Sequence, residues 1–376
     1  MKKLLILFTP TIIFAMDPVQ PEDTIHYPTN TYRNELITPA LVTSQKMREE
    51  FPIPENVAHC VQDNRELLSQ LSETPNPLDT ETLNKKMNEN KKALQQKQDE
   101  GVLTSMSNHN YVMEFKEYPD HVIRINHPYS RMLCWLSEIG INIFLPETKK
   151  PFYYAQLQYL PAYQGLSVCT YYLAWKEFER QHGALTRITT PPTYAVPIPK
   201  KSDDNVRTMY PAASDHNYVV AQKKVEGFEE LKGMTEEQQK KVVSAWEPET
   251  IKQLFAITVA CGIWDMRNNV GIVNGDPNKL CMLDLEQSIF HNPSFIHYQG
   301  DEGNRLHALD SYMGQLRIAQ LLLIHNREKF ELWKKLYYQD NALRAHHKKY
   351  KDDIKKCECY INLKNEEELR KAKLYR

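Results

Sequence analysis

The sequence predicts an α+β chain in two lobes, β-rich first and helical second. Three stretches carry that reading. NYVMEFKEYPDHVIRINHP, from Asn110, alternates apolar and polar residues on both sides of Tyr118-Pro119-Asp120, the pattern of a hairpin. ETIKQLFAITVAC, after Pro248, is apolar nearly all the way round, as a helix buried on most sides must be. Two short apolar runs follow it, NVGIV and LCMLD, joined by the turn NGDPNK, with Asp265 ahead of the first and Asp284 closing the second.

In chain order, MKKLLILFTPTIIFAMDP places two lysines before an apolar stretch that ends on small Ala15. That is the layout of a signal peptide over 1–15, with a periplasmic or secreted destination. The run is shorter than the ~20 residues a membrane-spanning helix needs, and no later stretch resembles a span. Residues 16–104 read as an extension: proline-rich and irregular to 60, then polar and helical at Asn64–Ser72 and Glu81–Glu100. The second helix has few large apolar residues, so it is expected in solvent or against a partner.

The β-rich lobe spans 105–226. After the hairpin, SVCTYYLAWKEFERQHG is an amphipathic helix ending on Gly183, and Tyr194–Ile198 and Tyr218–Val225 read as strands. The connector Lys224-Val225-Glu226-Gly227 leads to a helical lobe over 227–325, which holds the apolar helix stopped by Gly262 and a further helix at Tyr312–Ile324. The tail, 326–376, carries fifteen Lys and Arg against nine Asp and Glu, which predicts a solvated basic face that includes His346 and His347.

Several function classes drop out. A net charge of −1 gives the whole molecule no pull toward nucleic acid or anionic membranes. Only 12 glycines, and no G-x-G-x-x-G or G-x-x-x-x-G-K-[ST], argue against dinucleotide-binding and P-loop proteins. Seven scattered cysteines are no disulfide framework, and Cys357-Glu358-Cys359 lacks the second half of a metal site. Neither G-x-S-x-G nor H-E-x-x-H occurs.

The order of elements, with a buried helix delivering two strands flanked by acidic residues, resembles the protein-kinase-like superfamily over about 105–325. Leu283-Asp284-Leu285-Glu286 is similar to the I-D-F-E of choline and aminoglycoside kinases. The resemblance implies a two-lobed fold, β-rich N-lobe and helical C-lobe, behind the N-terminal extension, with ATP and Mg²⁺ as cofactors. It implies Asp265 as the base that receives the acceptor's hydroxyl proton, and Asn269 and Asp284 as metal ligands. It further implies Arg124 at the ATP phosphates, Glu177 (or Glu179) as its partner, and the Val225 backbone at the adenine edge. Hard oxygen donors that leave the metal's coordination sphere partly open suit phosphoryl transfer.

Three features depart from the family pattern. Asp265 lies four residues before Asn269, where H-x-D-x-x-x-x-N has five. Arg124 stands where a lysine is expected, and a planar guanidinium fork replaces a compact ammonium. GVLTSMSNHN, before Tyr111, has one glycine in place of a glycine-rich loop. Two functions therefore stay open: an active phosphotransferase on an unidentified protein or small-molecule hydroxyl, or an inactive pseudokinase serving as a secreted binding or scaffold module.

Overall fold

The computed structural model describes residues 52–73, 80–107, 111–125, 161–199, 216–263, 269–283, 285 and 301–351. The predicted signal peptide, with Asp265 and Asp284, lies outside them. The architecture is mixed α+β: helices α1 (Glu55–Asp63), α2 (Arg65–Ser72) and α3 (Thr80–Asp99), then strands β1 (Leu103–Ser107), β2 (Tyr111–Phe115) and β3 (His121–Ile125). Next come α4 (Pro161–His182), β4 (Ile188–Thr189), β5 (Thr193–Pro199), β6 (His216–Lys223) and β7 (Phe228–Glu230). The chain continues with α5 (Glu236–Ala245), α6 (Pro248–Cys261), β8 (Val270–Val273) and β9 (Asp276–Met282). It closes with α7 (Asp301–His325), α8 (Arg327–Gln339) and α9 (Asn341–Lys349).

The first five-stranded sheet runs β1-β2-β3-β6-β5, antiparallel throughout. Its strands alternate as their sequence does: Tyr111, Met113, Phe115, Ile123 and Ile125 are buried on one face, with Val112, Val122 and Arg124 on the other. The buried face is covered by the segment assigned from sequence to an extension. Val57, Cys60, Leu67, Leu68, Leu71 and Leu94 form one core with those strand residues and with Val219 and Ala221. Sequence reading misses this because each helix contributes a stripe of only a few apolar residues, and most of α3 is exposed. The opposite face is covered at β5 and β6 by α4, which sends Tyr172, Ala174, Trp175 and Phe178 into a second core.

That second core is built around α6. From Thr250 to Cys261 every residue except Lys252 is buried, as the all-round apolar sequence predicts. Pro248 opens the helix, where a missing N–H costs nothing, and Gly262 ends it in the left-handed region at φ 62°. α5 starts with a capping box: the Gln238 backbone N–H donates to the Thr235 hydroxyl, and Gln238 accepts from the Thr235 N–H. α7 crosses α6 at Gly314, where a Cβ would lie 2.1 Å from the Ile263 carbonyl.

The basic tail is not merely a solvated face. Phe330, Trp333, Leu336 and Leu343 complete the second core, and the Trp333 indole donates to Gln315, which itself donates to the Phe255 carbonyl. His347 also departs from its expected exposure. It is 5% exposed and hydrogen-bonded on both ring nitrogens, to Ser311 at 2.9 Å and Tyr337 at 3.0 Å. The lysines around it point outward while the i, i+4 partner Leu343 points in with it, so local composition misleads. No helix among the described residues is long and apolar enough to cross a membrane.

Candidate functional site

The predicted hairpin is β8–β9, central in a four-stranded sheet of order β4-β9-β8-β7. Asn274 and Gly275 both take positive φ, 54° and 69°, the two-residue turn whose twist matches paired strands. Gly271 lets β7 approach, since a Cβ there would meet the Glu229 carbonyl at 2.4 Å. Two amide side chains bolt the hairpin and β4 to the helices. Asn278 accepts from the Glu247 N–H and the Thr250 hydroxyl, each at 2.7 Å, and donates to the Ala245 carbonyl at 3.0 Å. Gln253 on α6 accepts from the Thr186 and Arg187 N–H groups at the entrance to β4. The Arg187 carbonyl then accepts from Leu280 N–H at 2.8 Å.

The open end of the hairpin receives the most attention from neighbouring groups. Past the Val270↔Met282 pair the ladder runs one residue further, with Leu283 N–H donating to the Asn269 carbonyl at 2.9 Å. The Thr190 hydroxyl donates to the Met282 carbonyl at 2.9 Å. The Gln222 amide, from β6 of the other sheet, donates to the Leu283 carbonyl and, at 3.0 Å, to the Thr193 hydroxyl. Leu285 is buried in the second core. Residues on both sides of position 284 are thus anchored, one by hydrogen bonds and one by packing.

Of the residues singled out from sequence, Asn269 stands at this open end, opposite Leu283. Its Nδ2 is buried and meets no acceptor among the described residues. Arg124, half-buried on β3, pairs in register with Val112 and Val220. Gln222 is the register partner of Val122, so Arg124 shares the sheet face from which Gln222 reaches the hairpin. Val225 is half-buried in the link between β6 and β7. The link is pinned on either side, by Lys224 N–H to the Asp120 carbonyl at 2.7 Å and by Asn274 N–H to the Gly227 carbonyl at 2.8 Å.

The helix glutamates are placed differently from expectation. Glu177 is tied along its own helix to Arg180 and Gln181. The Glu179 side chain is the less exposed, 17% against 33%, and pairs with Lys176 at 2.7 Å. It also lies close enough to α6 to act on Cys261, whose thiol is pushed up first by burial and then by the Glu179 carboxylate. On the helix wheel Glu179 falls with Tyr172 and Trp175, seven and four residues back, whereas Glu177 does not. Burial therefore favours Glu179 as the inward carboxylate.

Gln222, Thr190, Asn278 and Gln253 were not singled out from sequence. Only Gln222 left a trace: in YVVAQKKV it follows Tyr218 and Val220 in phase, a polar residue after two apolar ones on one strand face. Among the described residues no three His, Cys, Asp or Glu side chains cluster as a metal site. Half-buried Asn269, whose Nδ2 is buried without an acceptor among the described residues, is the one proposed metal ligand within them, and its oxygen is of the hard type that Mg²⁺ takes. Compared with models of known protein families and with characterised proteins, the chain matches none.

Proposed function

We propose that the chain is a divergent, exported member of the protein-kinase-like superfamily, a two-lobed phosphotransferase that uses ATP and Mg²⁺ on a hydroxyl acceptor. The observation that carries this reading is the hairpin register. Asn269 lies opposite Leu283 at the open end of the hairpin, and Asp284 is the residue that follows Leu283 in the sequence. The chain order agrees: strands with one embedded helix, a short link, a helix buried on nearly every side, then the hairpin.

In this reading Asn269 and Asp284 hold Mg²⁺, which when bound neutralises charge on the phosphates. Asp265 orients the acceptor hydroxyl and takes its proton, a task that depends on reach as much as on basicity. Arg124 faces the phosphates from β3, with Glu179 preferred to Glu177 as the inward carboxylate on α4. The Val225 backbone, in a link pinned on both sides, meets the adenine edge. A second reading, an inactive pseudokinase that acts as a secreted binding or scaffold module, is favoured by the guanidinium at position 124 and by the four-residue step from Asp265 to Asn269.

The test is a thermal shift on the full chain with ATP, with and without Mg²⁺, repeated on Asp284→Ala. A Mg²⁺-dependent rise in Tm that disappears in the variant supports the nucleotide site. No shift under either condition overturns it and leaves the scaffold role. ATP turnover by the wild type, abolished in Asp265→Ala, separates the active protein from the pseudokinase.

A further inference from the structure

The proposed chemistry assigns no task to Gln222, yet its side chain crosses from one sheet to the other. Its Nε2 donates to the Leu283 carbonyl on the hairpin and to the Thr193 hydroxyl on β5. Both ends of that arrangement are polar-matched. The Thr193 hydroxyl gives its own proton to the Pro191 carbonyl at 3.0 Å, so it offers only lone pairs to Gln222. A backbone carbonyl likewise can only accept. With two acceptors facing it, the amide nitrogen is fixed by the network in the donor orientation.

Residue 283 is consequently held at both of its peptide groups. Its N–H goes to Asn269 in the neighbouring strand, and its C=O goes to Gln222 in the other sheet. The preceding carbonyl is held by Thr190, which stands between β4 and β5. Remove the glutamine amide and the strand end keeps its tie within the hairpin but loses its tie to the sheet that carries Arg124.

We propose that Gln222 is a positioning residue, a tether that sets the metal-binding end of the hairpin against the phosphate-facing side of the five-stranded sheet. The proposal rests on the reading of this region as a Mg²⁺–nucleotide site. Its distinguishing consequence is selective. Phosphates and metal meet at the hairpin, while the adenine is held at the Val225 link, so loosening the tether weakens the metal-dependent part of nucleotide affinity and spares the rest.

The experiment uses the full chain and calorimetric titration with ATP, once with Mg²⁺ and once with a chelator. The variants are Gln222→Met, which keeps length and loses the donor, Gln222→Glu, which sets a carboxylate against the Leu283 carbonyl, and Thr193→Val. Hydrogen exchange at the Leu283 and Leu285 amides is followed without nucleotide. Gln222→Met should weaken Mg²⁺–ATP about tenfold, the worth of one hydrogen bond of ordinary strength, with metal-free ATP changed less than about twofold. Gln222→Glu should lose more, Thr193→Val less, and Leu283 should exchange faster in both Gln222 variants. If the wild type binds Mg²⁺–ATP and Gln222→Met binds it equally well, or loses both modes in parallel, the positioning role is overturned and the nucleotide site stands. If the wild type binds no nucleotide, the site reading falls. Exchange then decides the tether alone: faster exchange at Leu283 in Gln222→Met supports it, and unchanged exchange overturns it.

Discussion

Asn278→Ala offers the sharpest test of how the hairpin is held. The side chain is 9% exposed and serves three partners: the Glu247 N–H, the Thr250 hydroxyl and the Ala245 carbonyl. Truncation leaves all three without a partner, but they do not suffer equally. Thr250 is fully buried, so its stranded hydroxyl bears a desolvation penalty of about 1–3 kcal/mol. Glu247 and Ala245 lie at the exposed junction of α5 and α6, where water replaces the lost bonds at about 0.5 kcal/mol each. The expected loss is therefore about 2–4 kcal/mol, or about 5–12 °C in Tm for a unit of this size.

Urea denaturation of wild type, Asn278→Ala, Thr250→Val and the double variant measures it. Thr250→Val removes the stranded hydroxyl, so the double variant should be less destabilised than the sum of the two singles, by about 1 kcal/mol or more. Asn278→Asp keeps the acceptor for Glu247 and Thr250 but sets a carboxylate oxygen against the Ala245 carbonyl, and should be less stable than wild type. A loss below about 1 kcal/mol for Asn278→Ala, or simple additivity with Thr250→Val, would refute the claim that this amide bolts the hairpin to the helices.

Other expectations follow from close contacts and buried histidines. Gly314→Ala should destabilise by about 1–3 kcal/mol in thermal melts, because the new methyl meets the Ile263 carbonyl and Thr258 side chain and α7 must back away from α6. Gly271→Ala should do likewise by driving β7 off β8, while Gly233→Ala, with open space around its Cβ, serves as the neutral control. His325 and His121 both sit below the usual imidazole pKa, chiefly through burial. The unfolded chain therefore takes up protons first, and stability should fall as pH drops below about 6.5, with no contribution above it. His325→Asn should flatten the acid limb of a stability–pH curve by up to about one proton; an unchanged slope would remove His325 from the account. Cys281, its thiol raised to about 11 by burial, should stay unmodified by a thiol reagent at neutral pH until the chain is unfolded.

What the sequence makes legible divides along physical lines. α6 is readable because burial on nearly all sides leaves only Glu249 and Lys252 as polar residues facing out, and Pro248 and Gly262 mark its ends. The hairpin is readable because Asn274-Gly275 is the preferred chemistry of its turn. β4, two residues long, and β7, three, are too short to show any period, and they form only because β9 and β8 supply an edge. α1 is hidden for a different reason. Val57, Cys60 and Val61 are a stripe of three in a proline-flanked segment, meaningful only once the sheet they cover exists. In the site, Asn269 is picked out as the asparagine that follows Asp265 in the pattern of the resembled family, but Gln222 and Asn278 act through uncharged amides whose partners are backbone and hydroxyl groups remote in sequence. Such partners leave almost no local trace.

The two cores also differ in when they can be completed. The one beneath the first sheet draws on residues from Val57 to Ala221, whereas the one around α6 draws on Tyr172 at one extreme and Leu343 at the other. During synthesis the first can close with a third of the chain still unmade. The second must wait for α8 and α9 to leave the ribosome, with α6 and its apolar surface exposed in the meantime. A chain stopped after α7 would thus carry a finished first sheet above an unfinished hairpin support. Shortening the protein from its C-terminal end should cost solubility well before it costs the first sheet.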